Sequence, residues 1–491
     1  MTSQISLTAP REKSPRAKSP RAQSLRAKSP RAESLRGLGP GAVHLPGDAR
    51  YDAARLPWNV ALDQRPAAVA QPRTVAEVQQ VVRAVVAADL RIAPQSTGHN
   101  AGPLVAQGLD DVVVLRTSAM TGVTIDPVRR IARVEGGALW LHATEPAGEH
   151  GLAALHGSSP DVGIAGYSLG GGIGWYARRL GLATNSLTAI ELVTADGEHL
   201  RADAHRNAEL FWALRGGGGS FGVVTALEFR LYAIESAYAG MLIWDRELAE
   251  PVLRRWAQWA PGAPDDVTTS FRILNLPPVP DVPEMLRGRS VVVIDGAVLG
   301  SDDAGAAVIA DLRALSPEID TFGRVPARSL VRLHMDPEGP TPVVSDSAML
   351  AGFPDEAVDA FLSEVGPGSS SSLLLAELRQ LGGALGREHE GGGALKQLDG
   401  EFVAFAAAMA MTPEMGAQGE HDAHRLTKVL SPWANGRSYL NFAENATDPR
   451  TGYDERTWLQ LKGIRSAIDP HGVFVGNHRI PRLVENGRVT D

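Results

Sequence analysis

The most informative absence in this 491-residue sequence is cysteine, which occurs nowhere in the chain. Without a thiol the protein cannot form disulfides, use a thiolate nucleophile, ligate zinc through sulfur or hold a Cys-ligated iron–sulfur cluster. Long apolar stretches are also missing, since no run approaches the ~20 residues that span a bilayer. The N-terminus has no apolar core typical of a Sec-type signal peptide, so we expect a cytoplasmic protein without a membrane contact.

Acidic residues are scarce at one end of the chain only. Residues 1–36 carry nine Arg or Lys and two acidic side chains, while the whole chain has a formal net charge of −8, which leaves −15 for the rest. We therefore expect no nucleic-acid binding by the folded part. The basic end repeats a Ser-Pro-Arg-Ala pattern with no apolar face, which predicts a disordered tail over residues 1–49. Contact of this tail with an acidic polymer or a membrane would depend on charge alone.

Length and apolar content favour two domains. With 491 residues, 44% of them hydrophobic, the chain exceeds the size at which one core stops growing. Thr74 and Glu77 form a capping box before an apolar stripe at helical spacing over residues 78–85, between two extended segments. This pattern predicts a β-α-β unit whose second strand leads into loop 96–100, a common position for ligand-binding residues. From about residue 236 the chain changes to amphipathic stretches and Pro-rich breaks.

Two motifs about sixty positions apart carry most of the chemical information. Residues 95–100 read Gln-Ser-Thr-Gly-His-Asn, and residues 157–174 contain many glycines. His99 is an imidazole nucleophile beside Gly98, and the glycines leave backbone that a large anionic cofactor can approach closely. Together the motifs indicate a flavin. The alternative for His99 is a loop histidine that only forms a hydrogen bond, and the hexapeptide by itself favours that alternative.

The second motif has a competing interpretation. Gly172-Ile-Gly174, with Glu191 nineteen residues past Gly172, satisfies a loose dinucleotide-binding fingerprint. That fingerprint requires a strand directly before its first glycine, and the extra glycines between 166 and 171 disrupt it. A nicotinamide site is therefore the second choice.

Several motifs in the same order give the chain a family resemblance. Residues 60–235 resemble the FAD-binding domain of the vanillyl-alcohol-oxidase-type flavoproteins, most closely the berberine-bridge-enzyme-like oxidases. The matching stretches are 95–100, Val134-Glu-Gly-Gly137, 157–174, Val193-Thr-Ala-Asp-Gly197, 215–224, Tyr439-Leu-Asn-Phe442, Asp469-Pro470 and Asn477-His-Arg-Ile-Pro481.

The resemblance implies an α+β fold in which the flavin domain is discontinuous. Two α/β subdomains over residues 50–235 would form a PCMH-type FAD-binding domain, completed by the C-terminal segment 436–491. Residues 236–435 would form a substrate domain, an antiparallel sheet backed by helices that covers the isoalloxazine ring.

By the same resemblance His99 would bond to the 8α-methyl group of FAD, which favours the covalent interpretation of this residue. Tyr439 and Asn441 would be catalytic. The remaining expected cofactor-binding residues are Gln95, Ser96, Thr97, Gly98, Asn100, Gly137, Ser159, Asp161, Val162, Gly163, Gly166, Tyr167, Gly171, Gly172, Gly174, Val224 and Asn477.

Three departures from the family pattern change the expected chemistry. Ser159 stands where many relatives have a second, cysteinyl link to the flavin, and a hydroxyl cannot form that thioether. Gln95 replaces a frequent arginine and so removes a fixed positive charge. Phe442 replaces the tyrosine that accepts a proton in relatives, so Tyr439 is the nearest candidate base, with a free pKa of about 10 that the site would need to lower.

Other histidines carry weaker signals. His334 in the substrate region could face the flavin, and His156 could approach the cofactor from the other side, although either could be a structural residue with one hydrogen bond. His421 and His424 have a spacing compatible with a metal on a helix, but no third ligand is apparent and we predict no metal.

The sequence thus predicts an FAD-dependent oxidoreductase that removes a hydride from a small organic substrate and passes the electrons to molecular oxygen. Val162 matches a family position where a compact side chain is associated with oxygen access. Two alternatives stay open: a nicotinamide-dependent dehydrogenase, and a flavin-fold binding protein without redox turnover.

Overall fold

The computed structural model describes residues 30–39, 43–280 and 282–483, which form three β-sheets with helices packed on them. In chain order the strands are β1 (Val43–His44), β2 (Ala68–Ala70), β3 (Arg91–Gln95), β4 (Val112–Arg116), β5 (Val123–Asp126), β6 (Ile131–Glu135), β7 (Leu187–Val193), β8 (His199–Asp203), β9 (Val223–Arg230), β10 (Ser236–Asp245), β11 (Val267–Asn275), β12 (Ser290–Val298), β13 (Ile319–Asp320), β14 (Gly323–Pro326), β15 (Val343–Leu350), β16 (Leu375–Gln380) and β17 (Phe402–Met409).

The α-helices are distributed along the whole described chain. They are α1 (Pro30–Glu33), α2 (Tyr51–Ala54), α3 (Val75–Ala87), α4 (Gly102–Ala106), α5 (Trp140–Gly148), α6 (Ile164–Leu169), α7 (Ala177–Leu180), α8 (Ala208–Leu214), α9 (Ala249–Trp259), α10 (Asp302–Val308), α11 (Ala310–Arg313), α12 (Asp355–Val365), α13 (Pro413–Val429) and α14 (Glu455–Ile468). Helices beside largely antiparallel sheets confirm the expected α+β class.

The first sheet has the order β1-β2-β4-β3, in which β2, β4 and β3 run parallel. Helix α3 connects β2 to β3 and begins where the Glu77 backbone N–H donates to Thr74 Oγ1 at 3.2 Å. Its valine stripe is buried, as the periodicity predicts. Strand β4 lies between the two strands of the predicted β-α-β unit, and loop 96–100 leaves the carboxyl end of β3.

The prediction of a disordered tail over 1–49 is wrong for the part of it that the structure describes. Helix α1 and the turn after it place Ala32 and Leu35 against α3, with Ala32 0% and Leu35 1% exposed, and β1 pairs antiparallel with β2. The proline-rich repeat predicts no helix because it contains few apolar residues. Ala32 and Leu35 are nevertheless buried, because they pack against α3. Residues 1–29 of the predicted tail lie outside the described residues.

The second sheet is antiparallel, in the order β5-β6-β9-β7-β8. Its core contains Trp140 of α5, Ile164 of α6 and Phe211 of α8, all packed with Phe229 of β9. The glycine-rich motif 157–174 lies between α5 and α7 and contains α6. Burial of α5, α6 and α8 on this sheet fixes where that motif leaves its backbone exposed.

The third sheet is large and antiparallel, in the order β13-β10-β12-β11-β16-β17-β15, with β14 also paired to β10. Helices α9, α12 and α13 cover one face, where Trp256, Phe361 and Leu426 pack with Phe271 and Phe402. The antiparallel sheet backed by helices is therefore as expected for residues 236–435. Its opposite face points towards the other two sheets.

The C-terminal segment returns to the first sheet. The Ile92 N–H donates to Val473 O at 2.7 Å, and the Val475 N–H donates to Ile92 O at 2.8 Å. Asp469 is fully buried, pairs with Arg465 and accepts from the backbone N–H groups of residues 473 and 474.

The sheets follow one another in the order of the predicted domains, whose boundaries at 49, 235 and 435 stay predictions. Within the described ranges, none of the helices combines the length and hydropathy needed to cross a bilayer.

We predict that Asp469→Ala destabilises the fold by about 3–5 kcal/mol, because it leaves the Arg465 guanidinium buried without its counter-ion. The free energy of unfolding in urea measures this loss. The control is Glu198→Ala, which removes an exposed pair with Arg83 and should cost less than about 1 kcal/mol. Equal losses in the two variants would mean that the buried pair does not anchor the C-terminal segment.

Candidate functional site

A cavity of about 410 Å³ lies where the three sheets meet. Its walls come from loop 96–100, from the motif 157–170 and from the glycines 216–219. Strands β16 and β17 and the C-terminal segments 439–444 and 476–478 complete it. The cavity is thus built from distant parts of the sequence, with the nucleophile loop on one side and the large sheet on the other.

His99 is held rigidly at the mouth of this cavity. Gly98 has a φ of +84°, a left-handed conformation that turns the chain after β3 and that glycine adopts without strain. The His99 ring stacks on Trp58 with centroids 4.2 Å apart, and its Nδ1 lies 2.8 Å from Thr97 Oγ1. Its Nε2 lies 3.7 Å from Asp161 Oδ1 and makes no hydrogen bond to a described residue. This nitrogen therefore has no hydrogen-bond partner among the described residues, although the Asp161 carboxylate lies close to it.

Asp161 supports His99 from outside the cavity. It accepts hydrogen bonds from the indole N–H of Trp58 and the backbone N–H of Gly339, both at 2.7 Å, and from Ser159 Oγ at 2.9 Å. Burial opposes its ionisation, but His99 and these donors outweigh burial and hold the pKa of Asp161 well below its usual range. The carboxylate orients the stacked pair of rings, and Ser159 contributes a hydrogen bond there.

Three glycines test whether a bulky anionic group fits the cavity. Gly166, Gly218 and Gly219 line it, and a Cβ placed at each would meet no atom within 4 Å. The space beside their backbone is therefore open to a ligand, as in sites where backbone N–H groups approach phosphates.

Buried polar atoms give a second test of the fit. Several cavity-lining side chains have a buried N or O atom without a hydrogen-bond partner among the described residues, although such atoms are nearly always paired in folded proteins. They are Ser96 Oγ, Asn100 Oδ1, Tyr167 OH and His478 Nδ1. A polar ring system and a pyrophosphate supply partners of this kind, so the residues present fit FAD.

Most of the predicted site residues line the cavity. They are Gln95, Ser96, Thr97, Gly98, His99, Asn100, Ser159, Val162, Gly163, Gly166, Tyr167, Val224, Tyr439, Asn441 and Asn477.

The other predicted residues lie outside the cavity lining. Gly137, Gly171, Gly172 and Gly174 pack against protein atoms; at Gly174, for example, a Cβ would lie 1.9 Å from His156 O. The structure shows packing around these glycines and hydrogen bonds around Asp161, and their contact with the cofactor stays a prediction. Sequence reasoning could not separate the two roles because both require the absence of a side chain.

The positive charge expected to be lost at Gln95 is supplied by a neighbouring strand. Gln95 of β3 pairs in register with Arg116 of β4, and Arg116 Nη1 donates to Gln95 Oε1 at 3.1 Å. Gln95 Nε2 in turn donates to Gln64 Oε1 at 2.9 Å. The guanidinium therefore lies behind Gln95 rather than in the cavity lining.

Tyr439 does not have the properties of a base. Its hydroxyl oxygen accepts from the Gly172 backbone N–H at 2.8 Å and from Asn441 Nδ2 at 3.2 Å. Burial raises the pKa of Tyr439 to about 12, although these hydrogen bonds oppose the rise. A base at this position would need the opposite shift, and Phe442, which stacks edge-on against Tyr439, has no polar atom.

Sequence reasoning missed most of a buried ionic cluster on the cavity face of the large sheet. His334 Nδ1 lies 2.7 Å from Asp295 Oδ2, Arg272 also pairs with Asp295, and Arg379 pairs with Glu377 at 2.8 Å. Burial and Arg272 oppose protonation of His334, but Asp295, Asp336 and Glu377 outweigh them and raise its pKa to about 9. Of this cluster only His334 was a candidate.

A signal for the cluster does exist in the sequence. Its members are isolated charged residues within otherwise apolar strands, as in Val291-Val-Val-Ile-Asp295 and Phe271-Arg272. Charges at such positions are seldom left unpaired. The strand register places Glu377 opposite Arg272, and Ser270 beside both Asp295 and Arg379, which no single strand reveals.

His156 and the residues of the dinucleotide fingerprint have structural roles. His156 donates from Nδ1 to Gly157 O at 2.7 Å, and burial lowers its pKa to about 4, so it is a neutral core residue. The segment before Gly172 is helix α6 rather than a strand, and Glu191 pairs with Arg133. The requirements of a nicotinamide-binding turn are therefore not met.

Comparison with known proteins agrees with this site. The sequence model of a family described as an FAD binding domain matches residues 66–203. A xylooligosaccharide oxidase from Thermothelomyces thermophilus is 37% identical over 178 residues, 36% of each chain. An (R)-6-hydroxynicotine oxidase from Paenarthrobacter nicotinovorans is 34% identical over 211 residues, 43% of this chain and 46% of that protein. These matches thus span less than half the length of either relative.

A solved structure extends the likeness in fold to nearly the whole chain. The wild-type BBE-like 1 protein of Physcomitrella patens has a TM-score of 0.79 and 21% identity, and the alignment covers 93% of this chain and 100% of that one. Residues 66–203 of this chain therefore match an FAD binding domain, and over nearly its whole length the chain has the fold of the solved BBE-like protein.

Proposed function

We propose that this protein is an oxidase in which FAD, attached through His99 alone, takes a hydride from a small organic substrate. The observation that carries the proposal is that His99 lines the same cavity as the open glycine backbone and that its Nε2 makes no hydrogen bond to a described residue. FAD supplies the hydride acceptor, and molecular oxygen is the proposed acceptor of its electrons.

The residues around His99 support a covalent bond. A neutral imidazole is a competent nucleophile, and stacking on Trp58 with support from Asp161 fixes the ring in one orientation. His99 would form the C–N bond to the 8α-methyl carbon of FAD, and the bound cofactor would supply the redox chemistry. Ser159 carries no thiol for a second bond, and its hydroxyl is engaged with Asp161.

The polar residues of the large sheet that line the cavity favour a small substrate that carries hydroxyl groups. Polar groups of β16 and the 334–336 loop line the same cavity as residues 96–100 and 439–442, so a substrate there can be held by hydrogen bonds. Relatives are named as oxidases of xylooligosaccharides, chitooligosaccharides and 6-hydroxynicotine. Val162, the position associated with oxygen access in the family pattern, lines the cavity.

We predict that the purified protein is yellow and that the colour stays with the pellet after acid precipitation. In His99→Ala the colour should move to the supernatant, because the nucleophile is removed while the glycine cradle is kept. The matched control is His424→Gln, a histidine whose side chain is 71% exposed, which should keep the colour in the pellet. Colour in the supernatant of the wild-type protein would contradict the covalent bond, and a colourless protein would contradict the function.

We predict that Tyr439→Phe lowers kcat/KM by less than about 100-fold, the low end of the loss expected when a general base is removed. The hydroxyl is protonated across the neutral range, so the pH dependence of kcat/KM should not change. Stability should fall by about 1–3 kcal/mol because the Gly172 N–H loses its acceptor. Peroxide release with xylobiose as the probe and thermal unfolding measure the two effects. If Tyr439→Phe removed a pH-dependent change in kcat/KM while stability stayed the same, Tyr439 would be the base.

A further inference from the structure

Oxidation of an alcohol requires an acceptor for the hydroxyl proton, and the aromatic residues near the cavity do not provide one. Phe442 has no polar atom, and burial raises the pKa of both Tyr439 and Tyr167, which holds their hydroxyls protonated. The cavity is lined by other titratable side chains, namely His99, His334, Asp336, Glu377, Glu444 and His478. Of these, His334 is the one whose geometry most resembles a positioned base.

His334 and Asp295 form a buried dyad. The side chain of His334 is 1% exposed and that of Asp295 is 0% exposed, and the 2.7 Å contact joins Nδ1 to a carboxylate oxygen. Ser270 Oγ donates to the other carboxylate oxygen at 2.6 Å, and Arg272 donates to the same oxygen as His334, so Asp295 cannot turn away. A carboxylate at Nδ1 keeps the proton on that nitrogen and leaves Nε2 as the basic atom.

The residue after His334 has an uncommon backbone conformation. Met335 has a φ of +57°, in the left-handed region that a residue with a side chain seldom adopts, and its side chain is 50% exposed. With Met335 turned towards solvent, both neighbours, His334 and Asp336, line the cavity. Strain of this kind persists where the surrounding structure enforces it, often at functional sites.

We propose that His334, positioned by Asp295, is the catalytic base that accepts the hydroxyl proton of an alcohol substrate. This proposal rests on the proposed function, because the oxidant is FAD. In the step the O–H bond breaks and its proton goes to His334 Nε2, the C–H bond breaks and its hydride goes to FAD, and the C–O bond becomes C=O. The proton later returns to solvent.

The charges around His334 favour uptake of a proton. The groups that face it are Arg272 of β11, Asp295 of β12, Glu377 and Arg379 of β16, and Asp336 of its own loop. These five side chains carry two positive and three negative charges, so a proton on His334 makes the buried cluster neutral. Arg379 Nη2, 3.3 Å from Nε2, donates to that nitrogen in the unprotonated form.

The sign of the pH dependence follows from the raised pKa. A base works in its unprotonated form, whose fraction grows tenfold per pH unit below the pKa, so kcat/KM should rise with pH and level off above about 9. Glu444 is the competing base, since burial raises its pKa to about 7. If Glu444 were the base, kcat/KM would level off about two pH units lower.

The first experiment does not depend on turnover. Two-bond proton–nitrogen spectra of the full-length protein labelled with ¹⁵N-histidine, recorded from pH 6 to 10, should show one ring in which Nδ1 stays protonated while Nε2 titrates near pH 9. That signal should be missing in His334→Asn and present in His424→Gln. A His334 signal that titrates below pH 7, or that carries its proton on Nε2, overturns the proposal even if the protein is a flavin oxidase.

The second experiment measures the pH profile of kcat/KM with xylobiose, cellobiose and chitobiose as probes. His334→Asn should lower the plateau by about 10²–10⁴-fold and remove the limb near pH 9. Asp336→Asn removes a partly exposed neighbouring charge without removing the base, so the limb should move to lower pH. Covalent flavin content checks that each variant is folded and loaded. Persistence of the pH-dependent rise in FAD-loaded His334→Asn, or its loss in Glu444→Gln, overturns the proposal and leaves the proposed function standing. A colourless wild-type protein overturns the proposed function and this proposal with it.

Discussion

The site depends on peptide backbone that is left uncovered where three sheets meet. Glycine destabilises helices and strands, so the bare segments around Gly166 and Gly218 must be held by what surrounds them. Trp140, Phe211 and Phe229 do this by packing α5, α6 and α8 onto the second sheet. A rigid core directly behind a bare surface keeps this stretch of backbone in place before a ligand arrives, which lowers the entropy cost of binding.

The residues of the site that could be predicted from the sequence are those that belong to short local motifs. His99, its glycine and the glycine-rich segment act within short stretches, and composition alone indicates a close approach of backbone to a ligand. The distinction between glycines that line the cavity and glycines that pack, such as Gly166 and Gly174, depends on atoms from distant segments. For the same reason, helix α1 was missed, because Ala32 and Leu35 gain their burial only from α3.

The Gln95–Arg116 pair shows why departures from a motif mislead when one segment is considered alone. Parallel strands β3 and β4 place these two residues side by side, so a charge absent from one strand can be supplied by the next at the same level of the sheet. The sequence separation of 21 residues hides this relationship, whereas the strand register makes it evident. Electrostatic arguments about the cofactor therefore need the sheet order as well as the motif.

The two faces of the large sheet differ: one packs against helices and contributes to stability, and the other carries charged residues. Phe271 faces the helices while the next residue, Arg272, lies on the opposite face of the sheet, where it pairs with Asp295, because side chains alternate along a strand. Burying Arg272, Asp295 and Glu377 contributes little to stability, since desolvation offsets most of the attraction between them. What the arrangement does provide is precision: strands hold charged groups in fixed positions better than loops do. The charged face of a sheet whose other face is a packed core is thus best explained by the chemistry it positions.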